Sequence, residues 1–366
     1  MVVDVHGHTL LPAQAYEYQA KLIARRAGFK APRIADELLA ARLEEHVALL
    51  DEAGTQVQFI SPRPYTMMHS LIGPGVVRAW ITFVNDLIHR QCSLRPERFR
   101  GVAGLPQLRV HDLTPAVEEL ERCVTELGFV GCLLNPDPME GEGPPPPGLG
   151  EPYWYPLYAK LCDLDVPAMI HSAACGSPRE SYSLHFINEE SIAVLGLLES
   201  AVFDEFPDLK IVVAHGGGAI PYQLGRFRAR GLRRGGEDLA RRLALLNYDT
   251  CVYSEAGLEL LFKVVGPARC LYGTERPGTG SPVDPATGRS LDDLLPVISS
   301  LEVLSAADRE LVLEANARRL YGRAFPDADA AGADAAGADA VRPAADGTAT
   351  VDGAGVAGGV RGADRG

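Results

Sequence analysis

The sequence has no long uninterrupted hydrophobic run and no two cysteines in a Cys-X-X-Cys spacing. A transmembrane helix needs roughly 20 mainly apolar residues, so no membrane span is expected. The seven cysteines, an odd number without paired spacing, favour reduced thiols over a disulfide framework or a cysteine zinc site. An export signal, with a basic stretch before a short apolar segment, is also lacking, so we expect a cytoplasmic protein.

Positive charge is scarce as well. Lys and Arg total 35 against 48 Asp and Glu, which gives a net charge of −13. A nucleic-acid-binding surface needs clustered basic residues, so nucleic acid is excluded as the expected partner. The composition, 46% hydrophobic and 23% charged, is typical of a globular protein, and we expect a small-molecule partner.

The C-terminal segment, residues 326–366, differs from the rest of the chain. It consists almost entirely of Ala, Gly and Asp and has few large apolar side chains. Such a segment cannot bury enough apolar surface to offset the entropy of ordering. We therefore predict one folded domain over residues 1–325 and a low-complexity, disordered tail over residues 326–366.

Eight short apolar runs alternate with longer segments of helical periodicity. Strands that are apolar on both faces and separated by helices indicate a parallel sheet. Eight of them in one domain predict an α/β fold, a distorted (β/α)8 TIM-like barrel. The runs cover residues 2–8, 57–61, 101–107, 128–136, 167–173, 210–217, 249–255 and 269–275.

Histidines stand where these predicted strands end. Side chains alternate along a strand, so His6 and His8 point to the same face. His171 ends the fifth predicted strand, His215 the sixth, and Glu275 the eighth. Barrel enzymes carry their chemistry at the carboxyl ends of the strands. One buried histidine is more often a core residue, but four at matching strand ends predict a metal site.

The glycines beside these histidines have a structural interpretation. Gly7, between His6 and His8, allows the backbone to pass close by. The three glycines that follow His215 match neither GxGxxG nor the Walker spacing of phosphate-binding loops. We therefore expect them to form a tight turn beside the metal.

The motifs DVHGH at residues 4–8, IHSA around His171, FPDLKIVVAHGGGAIPYQLGRFR at 206–228 and LYGTERPG at 271–278 resemble the amidohydrolase superfamily. The resemblance is to the branch that contains aminocarboxymuconate semialdehyde decarboxylase, resorcylate decarboxylase and 4-oxalomesaconate hydratase. It covers residues 2 to about 325 and implies that the chain is an enzyme.

The resemblance implies that His6, His8, His171 and Glu275 bind the metal, with His215 beside it as ligand, acid or base. Most of this branch carries Asp in the last strand, whereas the GTE segment here is similar to that of the oxalomesaconate hydratases. Strand four ends at Asn135 without a lysine that could be carbamylated, so we expect one divalent ion. Histidine nitrogens and a carboxylate favour zinc.

The expected reaction is the addition of water to a conjugated keto or enol polycarboxylate, similar to 4-oxalomesaconate. Glu275 is the candidate base that deprotonates water, and His215 is the candidate that moves the second proton. A polyanionic substrate also needs cations and polar groups at the barrel mouth. The candidate substrate-binding residues are Arg63, His69, Tyr222, Arg226, Asn247 and Arg276.

Three alternatives remain open at this stage. The same metal site suits a nonoxidative decarboxylase of an aromatic or muconate-type acid. It also suits a hydrolase of a lactone or amide. A barrel that has lost catalysis and serves as a scaffold is the third alternative, although every expected ligand type is present. The resemblance further implies a homodimer or a larger homo-oligomer in aromatic compound catabolism.

Overall fold

The computed structural model describes residues 1–25, 30–71, 73–108, 112–233 and 238–325. The predicted disordered tail, residues 326–366, lies outside the described residues. Eight parallel strands follow one another in chain order around a single sheet, which confirms the predicted barrel. They are β1 (Val3–His8), β2 (Val57–Ser61), β3 (Phe99–Ala103), β4 (Gly131–Leu134), β5 (Ala168–Ile170), β6 (Ile211–Val213), β7 (Asn247–Asp249) and β8 (Cys270–Leu271).

Helices connect the strands and cover the barrel. Large apolar side chains such as Trp80, Trp154 and Tyr158 are fully buried between the helices and the sheet. The helices are α1 (Ala13–Arg25), α2 (Asp36–Glu52), α3 (Pro74–Leu94), α4 (Thr114–Thr125), α5 (Tyr155–Leu164), α6 (Tyr182–Leu198), α7 (Val202–Glu205), α8 (Ile220–Arg233), α9 (Leu239–Arg242), α10 (Glu255–Val265), α11 (Leu294–Ser300), α12 (Ala306–Glu310) and α13 (Asn316–Leu320). In the described part of the chain, no helix combines the length and apolarity needed to span a bilayer.

The barrel closes where β8 meets β1. The backbone N–H of Val5 donates to the carbonyl of Tyr272 at 2.9 Å. Below this bond, the buried Asp4 carboxylate accepts the Thr274 N–H at 3.1 Å and the Thr274 hydroxyl at 2.6 Å. Burial raises the pKa of Asp4 to about 6, while the hydrogen bonds it accepts act in the opposite direction. Asp4, two residues before His6, therefore links β1 to the segment that follows β8.

Two strands lie earlier in the sequence than predicted. β3 ends at Ala103 instead of 107, because the Asn85 side chain of α3 accepts the N–H of Gly104 at 2.9 Å and donates to its carbonyl at 3.0 Å. β7 spans Asn247–Asp249, whereas the prediction was 249–255. The Asp249 carboxylate takes the N–H of Cys251 at 3.1 Å, so the chain turns instead of extending the sheet.

A serine cap sets the start of helix α6. The Ser181 hydroxyl accepts the Leu184 N–H at 3.3 Å and caps the first turn. His185 therefore lies in the first turns of α6. This places its ring against the loop that follows β4.

The ring of His46, on α2, is completely buried and bonds through Nε2 to the Gln58 side chain at 2.8 Å. Gln58 in turn donates to Asp4 at 2.8 Å and to the carbonyl of Arg276 at 2.7 Å. A Cβ at Gly7 would lie 2.3 Å from the Gln58 side chain, so this position has room only for glycine. His46 thus supports the base of the site, and burial lowers its pKa to about 4.

We predict that replacing His46 reduces the acid sensitivity of folding. The pKa of a histidine in the unfolded chain is about 6.5. Between pH 6.5 and 4 the unfolded chain therefore binds a proton that the folded chain does not, and the free energy of unfolding falls as pH falls. For His46→Gln, the loss of unfolding free energy between pH 7 and pH 5 should be smaller than in the wild type by about 2 kcal/mol.

Denaturant titrations at the two pH values measure this difference. His89→Gln is the matched control, because this half-buried histidine lies on α3, where its ring bonds to the Leu127 carbonyl. Equal pH dependence in the His46 variant and the wild type would contradict the prediction.

Candidate metal centre and active site

Four imidazoles and one carboxylate converge at the mouth of the barrel. His6 and His8 end β1, and both side chains are 1% exposed. His171 follows β5 directly, and His215 begins the turn after β6. Glu275 follows β8, and its N–H donates to the carbonyl of His6 at 2.7 Å. Parallel strands place all of these carboxyl ends on the same rim.

The rings are close enough to share one ion. The ring centroid of His6 lies 5.1 Å from that of His8 and 4.9 Å from that of His171. The centroids of His171 and His215 are 4.9 Å apart. One ligand atom from each of His6, His171, His215 and Glu275 lies within 4.8 Å of the others. Nε2 of His8 is 3.6 Å from Oε1 of Glu275.

Each histidine uses Nδ1 to bond to the protein behind it. His6 Nδ1 donates to Oδ2 of Asp249 at 2.6 Å, and His8 Nδ1 lies 2.8 Å from the Ser61 hydroxyl. His171 Nδ1 donates to the carbonyl of Ser172 at 2.6 Å, and His215 Nδ1 bonds to Glu190 at 2.8 Å. Protein partners at Nδ1 fix the ring and leave Nε2 free to bind a metal.

The opposite nitrogens fit a metal ion. Nε2 of His6, His8 and His171 is buried in each case and has no hydrogen-bond partner in the structure. Buried polar atoms without partners are costly, and here three of them face the same point beside a carboxylate. The donor set therefore fits the divalent ion that the sequence predicts.

The ionisation of the site also suits metal binding. Burial lowers the pKa of His8 to about 4 and the pKa of His171 well below its usual value, so both rings are neutral. Burial would raise the pKa of Glu275, but the imidazole of His8, whose Nε2 lies 3.6 Å away, and the other nearby imidazoles hold it well below the ordinary range. Burial would also lower the pKa of His215, but the Glu190 carboxylate raises it to about 10.

Asp249 holds several parts of the site together. Besides His6, it accepts the N–H of Gly216 at 3.0 Å through its other oxygen. The three residues Gly216, Gly217 and Gly218 all have positive φ, a conformation that favours glycine. The glycine run therefore forms a tight turn beside the site, and one of its N–H groups binds Asp249.

Glu275 is held by the loop that carries Tyr253. The Tyr253 hydroxyl donates to Oε2 of Glu275 at 2.8 Å and lies 3.1 Å from the carbonyl of Thr274. Both Tyr253 and Glu275 have positive φ, at 59° and 60°. Strained backbone of this kind is frequent at functional sites, where the surrounding structure enforces it.

Two adjoining cavities open onto the site. One, of about 420 Å³, is lined by His8, Arg63 and Glu275 among other residues. The second, of about 270 Å³, is lined by His215, Tyr253 and Glu275 among others. Glu275 thus lies between the two cavities, within reach of a small molecule bound in either.

Arg63 and His69 have different surroundings. Arg63 is half-buried at the cavity beside His8 and donates to the carbonyl of Pro277 at 3.0 Å. His69 is buried, and its two nitrogens bond to the carbonyl of Leu105 and to the side-chain amide of Asn135. Arg63 therefore faces the site, whereas the ring of His69 is engaged in the protein wall.

The other four residues predicted to bind substrate lie elsewhere. Tyr222 is 75% exposed on α8, and Arg226 lines a separate surface cavity with Phe227. Asn247 is the first residue of β7, at the strand end opposite the histidines, and its amide donates to the Ile211 carbonyl at 3.2 Å. The guanidinium of Arg276 is bound by Ser290, Asp292 and Glu52.

Sequence reasoning missed the residues that hold the ligands from behind. Asp249 also stands at the end of a strand, which was the signal that identified the histidines. It escaped notice because β7 was predicted to begin, not end, at this residue. Glu190 lies on α6 between Glu189 and Ser191, and nothing in the sequence links it to His215.

Known proteins match this chain along almost its whole described length. It is 38% identical over 336 residues to the 2-keto-4-carboxy-3-hexenedioate hydratase of Sphingobium sp. (strain NBRC 103272 / SYK-6), which covers 88% of this chain and 96% of that protein. The crystal structure of 4-oxalomesaconate hydratase from Rhodopseudomonas palustris superimposes with a TM-score of 0.81 at 33% identity. It covers 91% of this chain and 99% of that chain.

A shorter match links the chain to decarboxylases. The gamma-resorcylate decarboxylase of Rhizobium sp. (strain MTP-10005) is 36% identical over 157 residues, 40% of this chain and 47% of that protein. The amidohydrolase family model matches residues 3–323, which include every histidine and carboxylate of the site. The chain therefore belongs to the amidohydrolase family, whose members bind a divalent metal ion at such a site.

Proposed function

We propose that this protein is a metal-dependent hydro-lyase that adds water to a conjugated keto or enol polycarboxylate of the 4-oxalomesaconate type. One observation carries the proposal. A buried carboxylate, Glu275, faces three unpartnered imidazole nitrogens in a chain that matches a hydratase over 88% of its length.

We further propose that His6, His8, His171 and Glu275 hold one ion and that this ion is zinc. Imidazole nitrogens with a single carboxylate suit zinc better than the hard cations, which prefer oxygen ligands. When bound, the ion would supply Lewis acidity, which polarises a substrate oxygen and acidifies water.

Glu275 is the base of the proposed reaction. Its low pKa keeps it ionised, and Tyr253 fixes one of its oxygens. As the oxygen of water bonds to one carbon of the double bond, Glu275 accepts a proton from that water. The electron pair of the double bond moves toward the conjugated carbonyl and then takes up a proton at the adjacent carbon.

His215 supplies that second proton. Its Nδ1 is held by Glu190, so the opposite nitrogen faces the cavity that Glu275 also lines. A carboxylate behind an imidazole orients the ring and stabilises its protonated form. The proton that Glu275 gains and the proton that His215 gives balance the addition of one water molecule.

Arg63 is the cation placed to bind a substrate carboxylate. It lines the cavity next to His8 and Glu275, and a guanidinium pairs with a carboxylate through two parallel hydrogen bonds. Arg276, by contrast, already pairs with Asp292 and Glu52. The homo-oligomeric state stays a prediction.

Nonoxidative decarboxylation is the second candidate, favoured by the 36% identity to a resorcylate decarboxylase. The two reactions are distinguished by incubating the enzyme with 4-oxalomesaconate and with 2,6-dihydroxybenzoate. Hydration removes conjugated absorbance without gas, whereas decarboxylation releases carbon dioxide. Carbon dioxide from either acid, without hydration, would overturn the proposal.

Replacing the base tests the assignment of Glu275. We expect Glu275→Gln to fold but to lose at least about 10³-fold in kcat, because the amide cannot accept the proton of water. The measurement is the rate of loss of conjugated absorbance, with metal added at saturating concentration. Substantial remaining activity would remove Glu275 from the role of base.

The roles of Asp249 and Glu190, which lie behind His6 and His215, can be distinguished by a matched pair of variants. Asp249→Asn should weaken metal binding about 10- to 100-fold, because it disturbs the partner of His6 Nδ1. Glu190→Gln should instead lower kcat and leave metal affinity unchanged, because His215 acts on the proton. Equilibrium dialysis and steady-state kinetics measure the two effects. Equal loss of metal affinity in both variants would make His215 a ligand and not the acid.

Arg63 is tested through the Michaelis constant. Arg63→Ala should raise KM about 10- to 100-fold with a smaller effect on kcat, because a substrate carboxylate loses its partner. Arg78→Ala is the control, since Arg78 is exposed on α3 and pairs with Glu118 on the surface. An unchanged KM in the Arg63 variant would show that the substrate binds elsewhere.

A further inference from the structure

A second group of metal-ligating side chains lies outside the ring of barrel-end histidines. It contains Asp137, in the loop after β4, together with His185 and Glu189 of α6. One ligand atom from each of the three lies within 4.8 Å of the others. None of these residues belongs to the strand-end set that forms the catalytic centre.

The buried ring of His185 points an unpartnered nitrogen into this group. The residue is 1% exposed, and Nδ1 bonds to Oε2 of Glu180 at 2.8 Å. Nε2 is buried without a hydrogen-bond partner and lies 3.8 Å from Oδ2 of Asp137. That distance is too long for a hydrogen bond. It leaves room for an ion, since two ligands of one transition metal lie about 3 to 3.5 Å apart.

The two carboxylates of this group also have surroundings that favour a bound cation. Asp137 is buried and rigid, because its two oxygens accept the N–H groups of Met139 at 2.9 Å and Gly141 at 2.6 Å. Each oxygen still has a free lone pair. Glu189 is half-buried, and burial, together with the Asp137 charge, raises its pKa to about 7. A cation between the two carboxylates would remove this repulsion.

We propose that Asp137, His185 and Glu189 form a second divalent-cation site, filled by a first-row transition ion such as zinc or manganese. One imidazole with two carboxylates suits these ions, whereas calcium and magnesium prefer oxygen ligands alone. Water molecules complete the coordination, because the protein supplies three ligands.

The site joins two segments that are distant in sequence. Asp137 belongs to the proline-rich loop of residues 137–148, and the other two ligands lie one turn apart on α6, at positions i and i+4. Both Asp137 and Glu189 line a cavity of about 260 Å³ that opens to solvent beside this loop, which gives an ion a route in. The bound ion fixes the loop against the helix whose Glu190 holds His215.

The test is the number of metal ions bound per chain. The full-length protein is stripped with a chelator and titrated with Mn²⁺, and free Mn²⁺ is followed by electron paramagnetic resonance. The wild type should bind two equivalents. Glu189→Gln and His185→Gln should each bind one, and His89→Gln, which changes a histidine far along α3, should bind two. Circular dichroism verifies that each variant is folded.

His171→Gln separates this site from the catalytic centre. It should lose the barrel ion and keep the second one, which Glu189→Gln loses. A wild type that binds one ion, retained in Glu189→Gln and lost in His171→Gln, would overturn the second site. Two ions in both Glu189→Gln and His185→Gln would overturn it as well. If the wild type binds one ion and only Glu189→Gln loses it, the result would instead contradict metal binding at the barrel centre.

Discussion

The hydrogen bond between Asp249 and His6 is the contact on which the rest of the site depends. Asp249 is completely buried, and its oxygens bind the imidazole of β1, the turn after His215 and the turn after β7. A buried carboxylate is tolerated only when donors surround it, and these donors come from β1 and from the turns after β6 and β7. The position of the Asp249 side chain therefore fixes one imidazole and two backbone turns at the barrel mouth.

The chemistry of the site follows from which nitrogen of each histidine bonds to the protein and which remains free. Each imidazole bonds to the protein through Nδ1. The buried rings of His8 and His171 are neutral, so their Nε2 atoms offer a lone pair. Glu190 stands behind His215 and favours the protonated ring instead. The group behind each imidazole therefore gives four histidines in similar positions different protonation states, which is the basis of the proposed division into metal ligands and a proton donor.

Much of the fold, and the polar side chains that meet at the barrel mouth, could be predicted from the sequence. Strand ends in a parallel barrel share one rim, so placing five polar residues at strand ends was enough to bring them together. The substrate-binding residues could not be predicted in this way, because an arginine that already pairs with a carboxylate of the protein is not available to a substrate. Arg276 looks accessible beside Glu275 in the sequence, but its guanidinium is bound by Asp292 and Glu52.

Local patterns were enough to predict the barrel, the family and the residues that meet at its mouth, because side-chain alternation and the succession of strands and helices are visible in short segments of the chain. The carboxylate behind each histidine and the position of His185 on α6 follow from the three-dimensional packing. These contacts join residues far apart in sequence, such as His6 and Asp249, and no local pattern encodes them. Long-range packing, which sets the partner of every buried polar atom, decides them.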